Sequence, residues 1–285
     1  MKKQRSFQTN QGMLYLVPTP IGNLEDISIR AIHTLQAVDL IASEDTRNTQ
    51  KLLNHFEISC PQRSLHEHNF KQRIPELLNF LQEGKNIAQV SDAGMPSVSD
   101  PGHELVDACI KAEIPVVALP GPTAGLTALI AAGISVQPNY FYGFLPRKKK
   151  EQIEELEKLA DISASLIFYE SPYRLKTTIT QMIEVLGNRK AVICRELTKI
   201  HEEYLRGNLS ELKAYLTENT IKGECCLLVE GAKEKAITEV FTGTLKEQVE
   251  ELIETGQKPN AAIKEVAKRN NLKKQQVYND YHDLK

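Results

Sequence analysis

The sequence predicts an α/β protein built on two sheets, followed by a small helical domain. Three observations carry this reading. Short runs of aliphatic and β-branched residues alternate with amphipathic stretches of helical period, the pattern of helices packed on largely parallel sheets. The alternation passes through Pro120-Gly121-Pro122 and then restarts, which puts a boundary between two sheets near Gly121–Gly133. Beyond Lys233 the strand pattern stops and only helical periodicity remains. The expected division is residues 1–122, 123–235 and 236–285.

Taken in order, the first strand is Leu14–Val17. Pro18 and Pro20 end it, and a helix begins near Ile27–Ser28, with Asp26 or Ser28 able to cap it. A second strand, Leu40–Ser43, runs into a polar segment that could open a helix. The helical stretch Ile74–Glu83 precedes the strand Asn86–Ser91. Ser99 or Asp100 could cap the next helix, Glu104–Ala112. Val116–Leu119 is a buried-looking strand, and Thr123–Ala132 a helix. The second group of strands is Asn139–Gly143, Ser165–Tyr169, Ala191–Arg195 and Cys225–Glu230, with helices Glu151–Ala160 and Leu175–Leu186 between them. Tyr204–Gly207, ahead of the helical Leu209–Leu216, reads as a hairpin strand. Lys233–Gly243 reads as a linker, and Thr244–Glu254, Asn260–Asn270 and Lys273–His282 as helices.

Composition narrows the class. The chain has 285 residues, 41% hydrophobic and 25% charged, as in ordinary globular proteins. No apolar run approaches transmembrane length. The charged N-terminus is followed by no apolar stretch, so no signal peptide is expected. Five cysteines, an odd number without a Cys-x-x-Cys pair, point to reduced thiols and a cytoplasmic setting rather than a disulfide framework. No Cys/His spacing suits zinc, and no metal is expected. A net charge of −2 argues against a general nucleic-acid coat but leaves room for a local basic patch.

Three loops follow predicted strands, where the ligand crevice of an α/β sheet lies. Val17-Pro18-Thr19-Pro20-Ile21-Gly22-Asn23 is not a Gly-x-Gly-x-x-Gly dinucleotide loop, and a plain strand-to-helix turn would look the same. Ser91-Asp92-Ala93-Gly94-Met95-Pro96-Ser97-Val98-Ser99-Asp100-Pro101-Gly102 is long and made of small residues, so backbone groups can approach a ligand closely. Leu119-Pro120-Gly121-Pro122-Thr123-Ala124 offers another turn of open backbone, with Thr123 as cap or contact.

With further segments the pattern becomes specific: Ser43-Glu44-Asp45-Thr46-Arg47-Asn48-Thr49, Phe144-Leu145-Pro146-Arg147-Lys148, Phe168-Tyr169-Glu170-Ser171-Pro172-Tyr173-Arg174, Cys194-Arg195-Glu196-Leu197-Thr198-Lys199 and Gly223–Gly231. In this order they resemble the tetrapyrrole methylase superfamily, and within it the bacterial 16S rRNA cytidine 2′-O-methyltransferases. The similarity runs over about residues 13–232 and continues into the tail. The resemblance implies a two-domain fold with a cleft for S-adenosylmethionine between the domains. It implies methylation of a ribose 2′-hydroxyl in 16S rRNA of the small ribosomal subunit, and a homodimer. It carries cofactor contacts onto Pro18, Asp92, Ala93, Gly94, Met95, Pro96, Thr123 and Ala124, and more loosely onto Phe144 and Leu145.

A hydroxyl attacks poorly while it keeps its proton, so carboxylates and orienting cations are sought at the cleft. Asp45, Arg47, Glu170, Arg195 and Glu196 are the candidates for catalysis. Each has a bland alternative: Glu44–Arg47 as a surface ion-pair cluster at a helix start, Glu170–Arg174 as an i,i+4 pair, and Arg195-Glu196 as a salt bridge. Arg47, Arg147, Lys148, Lys149, Arg174, Lys273 and Lys274 are candidates for RNA phosphate. Lysines at a helix start oppose its dipole, which makes the Arg147–Lys150 run notable. His66-Glu67-His68 would place two imidazoles on one face of a strand, but no further ligand is near in sequence, and a loop or rim role is expected.

Val266–Tyr278 reads as helix–turn–helix, with Ala267 at a helix crossing, Asn271 in the turn and Val277 returning to the core. Asn270 stands where an apolar residue is usual. From Lys258 to Lys285, seven Lys/Arg against three Asp/Glu leave +4. This suits phosphate contact, or else the tail is a small packing domain or a dimer prop. Two other functions compete: a methyltransferase acting on a tetrapyrrole, and a DNA-binding regulator using the tail. The second leaves the three loops unexplained.

Overall fold

The computed structural model describes residues 3–5, 12–98, 102–233, 243–270 and 272–284. They form two compact units, Met1–Ala232 and Lys233–Lys285.

The first unit holds two five-stranded sheets. In the first, β1 (Leu14–Leu16), β2 (Leu40–Ser43), β3 (Gln62–Ser64), β4 (Ile87–Val90) and β5 (Val116–Ala118) run in the order β3-β2-β4-β1-β5. All its pairings are parallel. Parallel strands need both faces covered, and β2 and β4 are buried throughout. On one face α1 (Ile29–Ala37) and α2 (Thr46–His55) supply Ala31, Leu35, Leu52 and Leu53. On the other, α3 (Phe70–Gln82) and α4 (Gly102–Lys111) supply Leu77, Leu81, Leu105 and Cys109. Ser28, not Asp26, caps α1, accepting from Ala31 N at 3.1 Å.

The second sheet contains β6 (Asn139–Phe144), β7 (Ser165–Glu170), β8 (Lys190–Arg195), β9 (Glu203–Asn208) and β10 (Cys225–Val229), in the order β6-β7-β10-β8-β9. Here the expectation of largely parallel sheets is corrected. Only β6–β7 is parallel, whereas β7–β10, β10–β8 and β8–β9 are antiparallel. The cause is connectivity. The strand expected at Tyr204–Gly207 exists as β9, and it returns directly beside β8. α8 (Leu209–Glu218) then carries the chain back so that β10 enters reversed between β7 and β8. α6 (Lys149–Leu159), α7 (Pro172–Leu186) and α8 cover one face of this sheet through Leu156, Leu175, Ile179, Met182 and Leu212. α5 (Ala124–Ala132) covers the other through Ala128, Leu129 and Ala132.

The second unit packs α9 (Leu245–Glu254), α10 (Pro259–Arg269) and α11 (Lys274–Tyr281) around Val249, Ile263, Val266, Ala267 and Val277. The place of the usual apolar residue is taken by a polar pair: Asn270 Nδ2 donates to Gln248 Oε1 at 2.8 Å. The caps expected of Ser99 or Asp100, the turn expected of Asn271 and most of the linker expected at Lys233–Gly243 lie outside the described residues.

Candidate active site

The carboxyl ends of the first sheet's strands face one side of a cleft, and the second sheet and its connections form the other. The cavity between them has a volume of about 580 Å³, within the range of small-molecule sites. Its first wall is Ile21, Glu44, Ser91 and Asp92–Met95. Thr123 and Ala124 contribute from the crossing between the sheets, and Phe144, Tyr169–Pro172, Cys194, Leu197 and Gly223–Cys226 from the second sheet.

Local chemistry fixes these walls. Gly94 has φ +75°, and a Cβ there would lie 3.2 Å from Ile21 Cγ2. Thr19 and Gly94 exchange two backbone hydrogen bonds of 3.0 Å, which tie the loop after β1 to the loop after β4. Asp92 is held from α2: Asp45 N donates to its Oδ1 at 3.2 Å and Asn48 Nδ2 to its Oδ2 at 3.1 Å. On the opposite wall Tyr169 Oη accepts from Gly125 N at 3.1 Å. Burial pushes its phenol up. Burial also raises the pocket thiols, Cys194 to about 12 and Cys225 to about 11, with Cys226 raised as well.

Of the residues expected at a cofactor, Asp92, Ala93, Gly94, Met95, Thr123, Ala124 and Phe144 line the cavity. Pro18, Pro96 and Leu145 do not. Pro18 is buried against Gly121, Pro96 is buried beside the lining, and Leu145 belongs to the core under α6 and α7. Among the catalytic candidates, only Glu170 reaches the cavity. It is 3% exposed, accepts from Thr178 Oγ1 at 2.7 Å and from Ser171 N at 2.8 Å, and lies 3.5 Å from Arg174 Nη2. Asp45 caps α2 and is gripped by Arg47 through Nε at 3.1 Å and Nη2 at 2.7 Å. The guanidinium and the Arg47 backbone N–H hold this carboxyl down at about 2. The salt bridge considered between Arg195 and Glu196 is not formed. Arg195 pairs with Glu203 at 2.9 Å, and Glu196 with Lys199 at 2.9 Å. Glu196 also accepts from Glu224 N, and this bond together with Lys199 lowers its carboxyl.

The cations differ in availability. Arg147 and Lys149 are exposed, while Lys148 pairs with Glu151 at 2.9 Å across the first turn of α6. Arg174 is structural in part, donating to Leu145 O at 3.3 Å and Pro146 O at 2.8 Å. Lys273 and Lys274 are exposed at the start of α11. His66 and His68 sit in a turn after β3, not on a strand, with ring centroids 6.0 Å apart. Among the described residues no group of three His, Cys, Asp or Glu is placed to hold a metal. Sequence reasoning did not single out Ile21, Tyr169, Leu197 or Gly223–Cys226 as site residues, although their segments carry the family resemblance, while Glu44, a polar residue at the end of a strand, does line the cavity. Gly223–Cys226 enters β10 at its amino end, and a search at the carboxyl ends of strands passes over it.

The family model of the tetrapyrrole (corrin/porphyrin) methylases matches residues 13–213. The chain belongs to the tetrapyrrole methylase family. It is 51% identical to a ribosomal RNA small subunit methyltransferase I of Streptococcus pyogenes serotype M3, over 100% of both chains. A protein of the same name from Bacillus subtilis is 49% identical over 99% of both. Solved tetrapyrrole methylases share the fold at low identity. A cobalamin biosynthetic cobalt precorrin-4 methyltransferase is 18% identical, with a TM-score of 0.59 over 76% of this chain and 94% of that one. Uroporphyrin-III C-methyltransferase from Thermus thermophilus, complexed with S-adenyl homocysteine, is 16% identical, with a TM-score of 0.54 over 77% and 97%. This chain sets its cavity between two sheets rather than on one.

Proposed function

We propose that this chain transfers a methyl group from S-adenosylmethionine to the ribose 2′-hydroxyl of a cytidine in 16S rRNA. The observation that carries the reading is its relationship, over the whole chain, to enzymes named for methylating small-subunit ribosomal RNA. The cavity supports it. Apolar walls from Ile21, Met95, Ala124, Phe144 and Leu197 suit a purine, and the carboxylates of Glu44, Asp92, Glu170 and Glu224 suit a molecule bearing a sulfonium and an ammonium. The donor set therefore fits S-adenosylmethionine. Asp92, Ala93, Gly94, Met95, Thr123, Ala124 and Phe144 hold it, with Pro18, Pro96 and Leu145 supporting them from behind.

The bound cofactor supplies an electrophilic methyl group, and alignment, charge and proton removal fall to the protein. Glu170, fixed by Thr178 and Arg174, sets its carboxyl group in the cavity wall. Asp45 and Arg47 stand at the adjoining rim, and Arg195 and Glu196 brace the opposite one. Arg47, Arg147, Lys148 and Lys149 offer cations to the RNA backbone, Arg174 braces the loop that presents Arg147, and Lys273 and Lys274 offer further cations on the separate helical unit. A three-part division at residues 122 and 235 belongs to this reading, with each sheet forming one domain. So does a second copy of the chain as partner, supported by the exposed apolar side chains of Leu126 and Ile130, one turn apart on α5. Free thiols and an RNA substrate accord with a cytoplasmic protein, and no helix of the described residues is long and apolar enough to cross a membrane.

The test is incubation with methyl-labelled S-adenosylmethionine and either small ribosomal subunits or uroporphyrinogen. The expected result is label on one cytidine ribose. Label on the tetrapyrrole alone would overturn the reading.

A further inference from the structure

The turn after β8 holds a backbone that side chains disfavour: Glu196 has φ +51° and Thr198 φ +65°. Such conformations persist where the surroundings enforce them. Part of that enforcement lies within the second sheet's own loops. Thr198 N donates to Glu202 Oε2 at 2.6 Å, and Lys199 Nζ bridges Glu196 and Glu224 at 2.9 Å each.

The rest comes from the first sheet's side. Asn23 N donates to Thr198 Oγ1 at 3.0 Å, joining residues 175 apart in sequence. Gly22 lies so close that a Cβ would stand 2.6 Å from Lys199 Cγ and 2.7 Å from Thr198 Oγ1. At its other end the same segment is bonded through Thr19 to Gly94. Between these two fastenings, Ile21 lines the cavity and packs against the cluster containing Leu197, Cys194 and Cys226.

We infer that Thr19–Asn23 is a strap across the cavity, and that Thr198 is the positioning residue that fastens it, acting through Asn23 on Ile21 and Leu197. The hydroxyl, not the bulk, makes the bond. Thr198→Val keeps the shape and removes the acceptor, and Thr198→Ser restores the acceptor. Gly22→Ala attacks the same junction from the other side, its methyl pressing on Thr198 Oγ1 and Lys199 Cγ while the threonine itself is kept. The catalytic consequence rests on the proposed cofactor reading, whereas the strap itself does not.

Two measurements on the full chain separate the claims. With no cofactor added, the protein is treated with N-ethylmaleimide and each cysteine is followed by peptide mass spectrometry. Cys194, Cys225 and Cys226 line the cavity, while Cys109 is buried in the first sheet's core and monitors general unfolding. The three cavity thiols should react roughly 2- to 10-fold faster in Thr198→Val and Gly22→Ala, the range that one lost hydrogen bond carries. Thr198→Ser should match the parent, and Cys109 should not change. Calorimetry should show weaker binding of S-adenosylhomocysteine by Thr198→Val, and kinetics a raised KM for S-adenosylmethionine with kcat nearly constant. Parent-like labelling in both Thr198→Val and Gly22→Ala would overturn the strap, as would parallel acceleration of Cys109. If the labelling changes as expected while the parent protein fails to bind S-adenosylhomocysteine, the cofactor reading falls and the strap stands.

Discussion

Asp45 does two things at once. It caps α2 through the Arg47 N–H at 2.8 Å, and it receives the Arg47 guanidinium on both oxygens. Its carboxyl, ordinarily near 3.8, is held at about 2. The native state favours the ionised form. The contribution is therefore complete above pH 3.8 and is lost as the pH falls through about 2. Arg47→Ala should return the Asp45 titration toward 3.8 in carboxyl NMR. In the proposed function it should also weaken RNA binding and flatten its salt dependence, leaving S-adenosylhomocysteine affinity intact. At Gly94, alanine meets a positive φ and the Ile21 methyl together. Gly94→Ala should cost about 1–2 kcal/mol of stability in denaturant melts, with a matching drop in S-adenosylhomocysteine affinity by calorimetry. Both positions were legible in the sequence, as a polar helix start and as a glycine in a long small-residue loop. Ile21 and Leu197 were not, because a single aliphatic residue in a loop carries no period to mark it. Their meaning comes from a contact across more than a hundred residues.

Periodicity marked the apolar elements and missed the polar ones. β3, with only Gln62–Ser64 and no fully buried residue, offers no apolar run. α2 is polar along most of its length, and only Thr49, Leu52 and Leu53 turn inward. α3 starts at Phe70, ahead of the expected Ile74, and carries Pro75 inside the helix, past the first turn, where the ring removes one backbone hydrogen bond and hides the helical start from a pattern reading. The direction of β10 was out of reach, since an apolar strand reads the same whether it runs parallel or antiparallel. In the tail, Asn270 looked like a gap in the core. Instead its amide meets Gln248, which is only 6% exposed and also donates to Gly243 O at 3.0 Å. Asn270→Leu should therefore destabilise the helical unit, by about 1–3 kcal/mol, because it strands the Gln248 carbonyl. Thermal melts of the parent and the variant, with Gln248→Leu/Asn270→Leu as the rescue, check this. A double variant no better than the single would contradict it.

At the scale of the molecule, the compact unit ending at Ala232 holds both walls of the cavity. Truncation after Lys235 should therefore leave S-adenosylhomocysteine affinity unchanged. The removed segment carries Lys264, Lys268 and Arg269 of α10 and Lys273 and Lys274 at the start of α11, so the truncated enzyme should need more RNA for half-maximal rate while methylating the same nucleotide. Mapping the modified position and titrating small subunits tests both parts. A shifted position would make the tail a specificity element, and an unchanged titration would make it dispensable for RNA.

The order of strands along the chain also sets a clock. Every strand of the first sheet precedes residue 119, whereas the last lining segment of the cavity is Gly223–Cys226. Synthesis proceeds at about 5–20 residues per second, and earlier parts fold first. The first sheet can thus close roughly 5–20 s before the chain can hold a nucleoside at all. During that interval the newborn half presents an open row of loops without an opposite wall. Strand β10, translated last and inserted between two strands already made, turns this half-built receptacle into a closed one.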